Sequence, residues 1–358
     1  MEATRRPTTV HFYSSAGAVD NFFDVARLKA AMAKALVAFY PLAGRLSVDG
    51  DGRPEIDCAS QGALFVVARS DLTVDGFVDF QPSPELRRLF VPRVEDSPSI
   101  MSAIQNFVVS KDQVAALKRA CTGGGDGGRV STFCAVSAHV WRSFCTARRL
   151  PTDATTRLSF PTNIRGALRP PLPARYFGNG IIVLGAAGKV RDIESEELGS
   201  VARRINGAVR RMDDELVRSA IDYLEINGSK QHPSSMPETE LRVISWLGMP
   251  VYDADFAWEK PLVMHRAVQQ RAGFVYLMDG VSGIGGVRIL VSIYGSSNSQ
   301  RLPAPAICHL RLVLCFQKPP SNPDFSTVAP FDPQHSDLLH YHHYVSNDNE
   351  EHDCIYPL

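Results

Sequence analysis

The sequence predicts a mixed α/β (α+β) fold in two domains, and three observations carry that prediction. At 358 residues the chain is long enough for two hydrophobic cores. Short apolar runs of strand length alternate with stretches whose apolar residues recur every three or four positions, without a regular repeat. Hydrophobic residues make up 44% and charged residues 21%, ordinary proportions for a globular chain.

The elements follow in order. Val10 to Tyr13 reads as a strand. Asp24 opens a helix that sets Val25, Leu28, Met32, Leu36 and Phe39 on one face, and Tyr40-Pro41-Leu42-Ala43-Gly44-Arg45-Leu46 ends it. Leu64 to Ala68 reads as a short apolar strand. Ser110 and Gln113 fit a capping box ahead of a helix carrying Val114 and Leu117. Ser131 begins another helix, with Phe133, Val136, Val140 and Phe144 on its apolar side. Asn163 to Tyr176 is proline-rich and irregular, and Ile181 to Leu184 is strand-like. A long helix then carries Leu198, Val201, Ile205, Val209 and Met212 as one stripe. Asn227 to Glu240 is a polar loop, and Phe274 to Met278 and Val287 to Ile293 are late strands. From Ser296 to Leu358 the chain is rich in Pro, Ser, His and Asp around one apolar island, Ile307 to Phe316, a composition that predicts poor order.

Charge and cysteine usage narrow the function classes. Formal net charge +0 gives no electrostatic case for nucleic acid or an anionic membrane. The seven cysteines are dispersed with no Cys-x-x-Cys pair, which speaks against zinc, thioredoxin-like chemistry and a disulfide framework. Met1 to Pro7 has no apolar signal core and no run is long enough to span a bilayer. The expected location is cytoplasmic.

Several motifs have ordinary readings. Gly123, Gly125 and Gly128 match G-x-G-x-x-G, but they follow a helix rather than a strand, so a flexible loop is the better reading. His340, His342 and His343 sit in the polar tail and read as a solvated tract, and His139 lies among apolar helix positions as a core histidine. Asn227-Gly228-Ser229 is a glycosylation sequon without a signal peptide to expose it.

Two stretches are more specific: Tyr40-Pro41-Leu42-Ala43-Gly44-Arg45-Leu46, and Asp253-Ala254-Asp255-Phe256-Ala257-Trp258-Glu259-Lys260-Pro261. In this order they resemble the Y-P-x-A-G-R and D-F-G-W-G signatures of the BAHD family of plant acyl-CoA-dependent acyltransferases. Asn163-Ile164-Arg165 before Arg169-Pro170-Pro171-Leu172-Pro173, and Val243-Ile244-Ser245-Trp246, are similar to its hydroxycinnamoyl transferases. The resemblance runs from about Thr8 to Ile293. It implies a two-domain chloramphenicol-acetyltransferase-like fold and transfer of an acyl group, hydroxycinnamoyl by branch, from CoA to an amine or alcohol. The co-substrate would be acyl-CoA, with no bound cofactor or metal and a monomeric chain. It places Thr9, His11 and Trp246 in the acceptor pocket. It makes Arg165, Asp255 and Trp258 structural, with Asp255 paired to Arg165.

The resemblance breaks at the chemistry. The family's general base is the histidine of His-x-x-x-Asp, and none of the ten histidines has Asp four residues later. The motif belongs between Leu89-Phe90-Val91 and Phe107-Val108-Val109, which only Pro92 to Asn106 join. A strand, the catalytic loop and a helix are expected to be missing as a block near 98–102. Ala257 and Glu259 also stand where the family has glycines, a strain of about 1 kcal/mol or more at any position that needs positive φ. The expected layout is an incomplete N-terminal half at 1–122, a C-terminal half at 129–294 and a divergent tail at 295–358. Three functions stay open: an impaired acyltransferase, a non-catalytic CoA- or acceptor-binding paralogue, and a truncated product without function.

Overall fold

The structure, a computed structural model, describes residues 9–13, 22–50, 54–59, 62–68, 102–122, 129–227, 236–266, 273–280 and 285–294. The glycine run, Gly228-Ser229 of the sequon, the junction up to residue 101 and the tail with its histidines lie outside these residues. In chain order the described elements are β1 (Thr9–Phe12), α1 (Val25–Ala38), a 3-10 turn (Tyr40–Ala43), β2 (Arg45–Val48), β3 (Pro54–Asp57), β4 (Ser102–Val109), α2 (Lys111–Thr122) and α3 (Thr132–Arg148). There follow β5 (Thr155–Asn163), β6 (Ile181–Lys189), α4 (Val190–Ser195), α5 (Leu198–Arg210), α6 (Asp214–Asn227), β7 (Glu240–Ser245), β8 (Val263–Arg266), β9 (Phe274–Asp279) and β10 (Val287–Tyr294). No helix among the described residues is long and apolar enough to cross a membrane.

The described residues fall into two units. The larger takes those within 1–11, 80–252 and 263–326, and the smaller those within 12–79 and 253–262. In the larger, six strands form one mixed sheet in the order β4-β10-β9-β7-β5-β6. β5 with β7 and β7 with β9 run parallel, and the other neighbours are antiparallel. Because side chains alternate across a sheet, Val275 and Leu277 of β9 join Val287, Ile289 and Val291 of β10 in the core that α3 shares. Tyr276, Met278 and Leu290 join Met264 of β8 in a separate cluster.

Local chemistry fixes the helix starts. Ser110 Oγ accepts from Gln113 N–H at 3.2 Å and Gln113 Oε1 accepts from Ser110 N–H at 2.8 Å, the reciprocal box expected ahead of α2. Ser131 Oγ accepts from Cys134 N–H at 3.1 Å and caps α3. Eleven of the seventeen α3 residues are buried, so this cap anchors the main core helix. Ser131→Ala is expected to lower stability by about 1 kcal/mol in urea unfolding; an unchanged midpoint and slope would remove the cap from the account.

The smaller unit carries α1, capped by Asp24 Oδ1 accepting from Ala26 and Arg27 N–H at 2.9 and 3.1 Å. Its apolar stripe is only half-buried, and no α1 residue is fully buried. β2 and β3 form a two-stranded antiparallel ribbon with Leu46 opposite Ile56. A Cβ on Gly44 would lie 2.6 Å from both Asp57 O and Ile56 Cγ2, so the glycine of the first signature is required by backbone approach.

One expectation needs correction. Residues 62–68 have no regular secondary structure: Leu64 and Val66 are exposed and Phe65 and Val67 half-buried, an alternation without a ladder partner among the described residues. Described residues on both sides of 122 fall in the larger unit. β4 pairs with β10 along eight residues and α2 packs on α3 and α5, so 102–122 belong with the C-terminal half, while 253–262 belong to the smaller unit.

Candidate functional site

Thr9 and His11 lie two residues apart on β1 and so point to one side of it. Thr9 is exposed and His11 half-buried. Burial pushes the His11 imidazole below its ordinary pKa, because desolvation disfavours the charged ring. At neutral pH it is therefore predominantly the neutral form, which can accept a proton.

Trp246 follows β7. Its backbone N–H donates to Leu277 O at 2.7 Å and its ring meets Tyr276 edge-on, 5.8 Å between centroids at 75°. It packs against the cluster of Met264, Tyr276, Met278 and Leu290. Met264 lies on β8, and β8 is the strand that pairs with β1. One element thus joins the strand of Thr9 and His11 to the cluster that holds Trp246. Neither of two cavities in the structure includes these three residues. The first, about 310 Å³, lies between Asp24, Arg27 and the Asp255–Trp258 loop; the second, about 450 Å³, lies between Asn163, Arg169 and Asp214.

No sequence pattern marks Arg288. It stands in the apolar β10 run, is 3% exposed, and donates Nη2–H to Met264 O at 2.6 Å, tying β10 to β8. Desolvation lowers its pKa.

The signature residues make the following contacts. Trp258 sits among rings, with Tyr13 edge-on at 5.5 Å and Phe23 stacked at 5.7 Å. Tyr13 Oη–H donates to Ala254 O at 2.7 Å. These partners went unseen in the sequence, although a tryptophan in an irregular loop requires apolar neighbours and Phe22-Phe23 stand just before the Asp24 cap. Asp255 Oδ1 accepts from Ala257 N–H at 2.7 Å. Arg165 donates Nη2–H to Gly178 O at 2.7 Å and Nη1–H to Asn163 Oδ1 at 3.2 Å, and its guanidinium lies 5.6 Å from the Tyr176 ring centroid. Asp255 and Arg165 belong to different units, and each has these partners within its own. In the first signature, Arg45 Nη1–H donates to Gly62 O at 2.9 Å.

Ala257 and Glu259 have φ of 66° and 69°, so both positions where glycine was expected adopt the left-handed conformation that penalises a Cβ. Both are exposed, and no packing opposes removal of their side chains. Ala257→Gly and Glu259→Gly are each expected to raise stability by about 1 kcal/mol, read as a higher midpoint of thermal unfolding. A lower midpoint for both would show that the loop does not hold these angles.

Other nucleophiles and ligands are poorly placed. Cys121, Cys134 and Cys145 are buried free thiols. Burial raises each pKa, Cys145 to about 11, leaving the unreactive protonated form at neutral pH. His139 is half-buried on α3. Among the described residues, no three His, Cys, Asp or Glu side chains are grouped to hold a metal ion.

Comparison with known proteins gives consistent likenesses. The Transferase family profile matches residues 5–109 and 99–296. The chain is 35% identical to putrescine hydroxycinnamoyltransferase 1 of Oryza sativa subsp. japonica, covering 78% of this chain and 86% of the relative. It is 30% identical to shikimate O-hydroxycinnamoyltransferase of Nicotiana tabacum, covering 80% and 88%. The rice alignment spans 386 positions but takes in 78% of 358 residues, about 280, leaving about 100 positions of the relative unmatched. The structure is similar to vinorine synthase, with TM-score 0.60 at 17% identity over 86% of this chain and 89% of that one. It is also similar to F. sporotrichioides TRI101 solved with coenzyme A and T-2, with TM-score 0.67 at 15% identity over 86% and 93%.

Proposed function

The chain belongs to the BAHD family of acyltransferases, and from that premise we propose that it keeps the framework for hydroxycinnamoyl transfer from CoA but is impaired or inactive as a catalyst. Its fold is the chloramphenicol-acetyltransferase-like α/β architecture. In the reaction, an acceptor amine or hydroxyl attacks the thioester carbonyl and must lose its proton, and the departing thiolate must gain one. A positioned histidine serves both steps. The observation that carries the proposal is that no histidine in this sequence has Asp four residues later.

Two comparisons support a missing block. The two family matches overlap at 99–109, at the short join read from the sequence, and about 100 positions of the rice relative lack a counterpart. The co-substrate in this reading is acyl-CoA. The acceptor class is an amine, as the name of the rice relative suggests, although the tobacco relative is named for shikimate. Thr9, His11 and Trp246 face the acceptor. A paralogue that binds CoA or acceptor without turnover is consistent with the same missing base.

Restoring the block tests this directly. A chimera carrying the rice relative's unmatched segment ahead of Asn106 is expected to release CoA from coumaroyl-CoA in the presence of putrescine. A folded chimera that binds acyl-CoA but releases no CoA would overturn the family chemistry assigned to the remaining framework.

A further inference from the structure

We propose that the cavity of the smaller unit between α1 and the Asp255–Trp258 loop binds a small organic monocation, an ammonium head on an apolar body. The cavity holds about 310 Å³, the size of a compact small-molecule site. It is formed within the smaller unit alone.

Sequence spacing builds one wall. Asp24, Arg27, Leu28 and Ala31 recur at intervals of three and four, so they share one face of α1 and its cap, and all four line the cavity. Across from them stand Phe256 and Trp258 of the loop. Their ring centroids are 5.5 Å apart and their planes are tilted by 43°. Tyr13, Phe22 and Phe23 also contact the indole of Trp258, which fixes this part of the wall before a ligand arrives. Phe256 is 47% exposed, a large apolar surface that a ligand in the cavity would cover.

Charge selects the ligand. Asp24 and Asp255 bring two carboxylates to the lining and Arg27 brings one guanidinium, a balance of one negative charge. Oδ1 of each carboxylate accepts from backbone N–H groups. Among the described residues Oδ2 of each has no hydrogen-bond partner, and Arg27 forms an ion pair with neither. An ammonium group is attracted both by a carboxylate and by the face of an aromatic ring, and this cavity offers both. An anion would meet two carboxylates, and the Ala26 and Arg27 N–H groups at the start of α1 already donate to Asp24. A dication would exceed the single net charge. Leu28 and Ala31 supply an apolar side for the body of the ligand.

Titration of the full chain with phenethylammonium chloride, followed by nitrogen–proton correlation NMR, tests the proposal. A saturable shift of the Trp258 indole and Ala257 amide signals is expected, with the Trp141 and Trp246 indoles unmoved. Phenylacetate and phenethyl alcohol carry a similar body with a negative charge or none, and neither is expected to give a saturable shift. Asp24→Asn and Asp255→Asn remove the charge but keep the oxygen that accepts the backbone N–H. Each is expected to weaken binding about threefold, and the two together about tenfold. Phe256→Ala, at an exposed position, is expected to cost about threefold as well. No saturable shift with the ammonium salt overturns the proposal, as does binding of phenylacetate or the alcohol as tight as that of the ammonium. Unchanged affinity in the folded double Asn variant also overturns it. Shifts confined to Trp246 would place the amine on the acceptor side and overturn it too. The ligand series on the unaltered chain decides the matter even where a variant unfolds.

Discussion

Trp141→Ala is expected to remove about 3–5 kcal/mol of stability, a large part of the roughly 5–15 kcal/mol typical of a folded domain. Trp141 is fully buried on α3, so truncation leaves a cavity in the principal core. It also removes a buried polar link. Trp141 Nε1–H donates to Thr156 Oγ1 at 3.0 Å, and Thr156 Oγ1–H donates onward to Thr239 O at 2.8 Å. This relay joins α3 to β5 and to the turn leading into β7. Trp141→Phe keeps most of the apolar volume but leaves the Thr156 acceptor without its indole donor, so a smaller loss of about 1–3 kcal/mol is expected. Urea unfolding followed by circular dichroism separates the two. A Trp141→Ala loss below that of Trp141→Phe would show that this helix is not the centre of the core.

Elements with local signals were legible in the sequence. Asp24, Ser110 with Gln113, and Ser131 cap their helices with side chains set by spacing alone, and the β9 and β10 runs are apolar on both faces because both faces are covered. Elements whose signal is non-local were missed. β5 buries Thr156, Leu158 and Phe160 at period two, but Arg157 and Pro161 obscure that pattern. Pro161 is tolerated because β5 pairs with β7 only at 157–159, leaving that end bonded to β6 alone. α6 was unseen because only Val217 of its stripe is fully buried, although Asp213 Oδ1 accepts from Leu216 N–H at its start. Leu64 to Ala68 failed in the other direction, since a strand pattern becomes a strand only where a partner supplies the ladder. At the site, the strain at Ala257 and Glu259 could be read from the expected glycines. The buried Arg288 could not, because its partner Met264 O is set by tertiary packing.

Acyl transfer by the chain as it stands is expected to fall below that of complete relatives by more than the approximately 10²–10⁴-fold that general-base catalysis supplies. The missing block would remove the base and part of the surface that orients the two substrates, and orientation contributes separately to rate. Among the described residues, His11 is the one histidine assigned to the acceptor side, and its lowered pKa keeps it neutral and able to accept a proton. In the proposed reading it has a pocket role rather than the base's role. The buried cysteines are held protonated and do not offer a covalent route. The direct measurement is release of free CoA from coumaroyl-CoA by the purified chain with putrescine, other amines, shikimate or quinate. The predicted result is release no faster than in the absence of protein; clear turnover that His11→Ala abolishes would contradict the account and assign the base's role to His11.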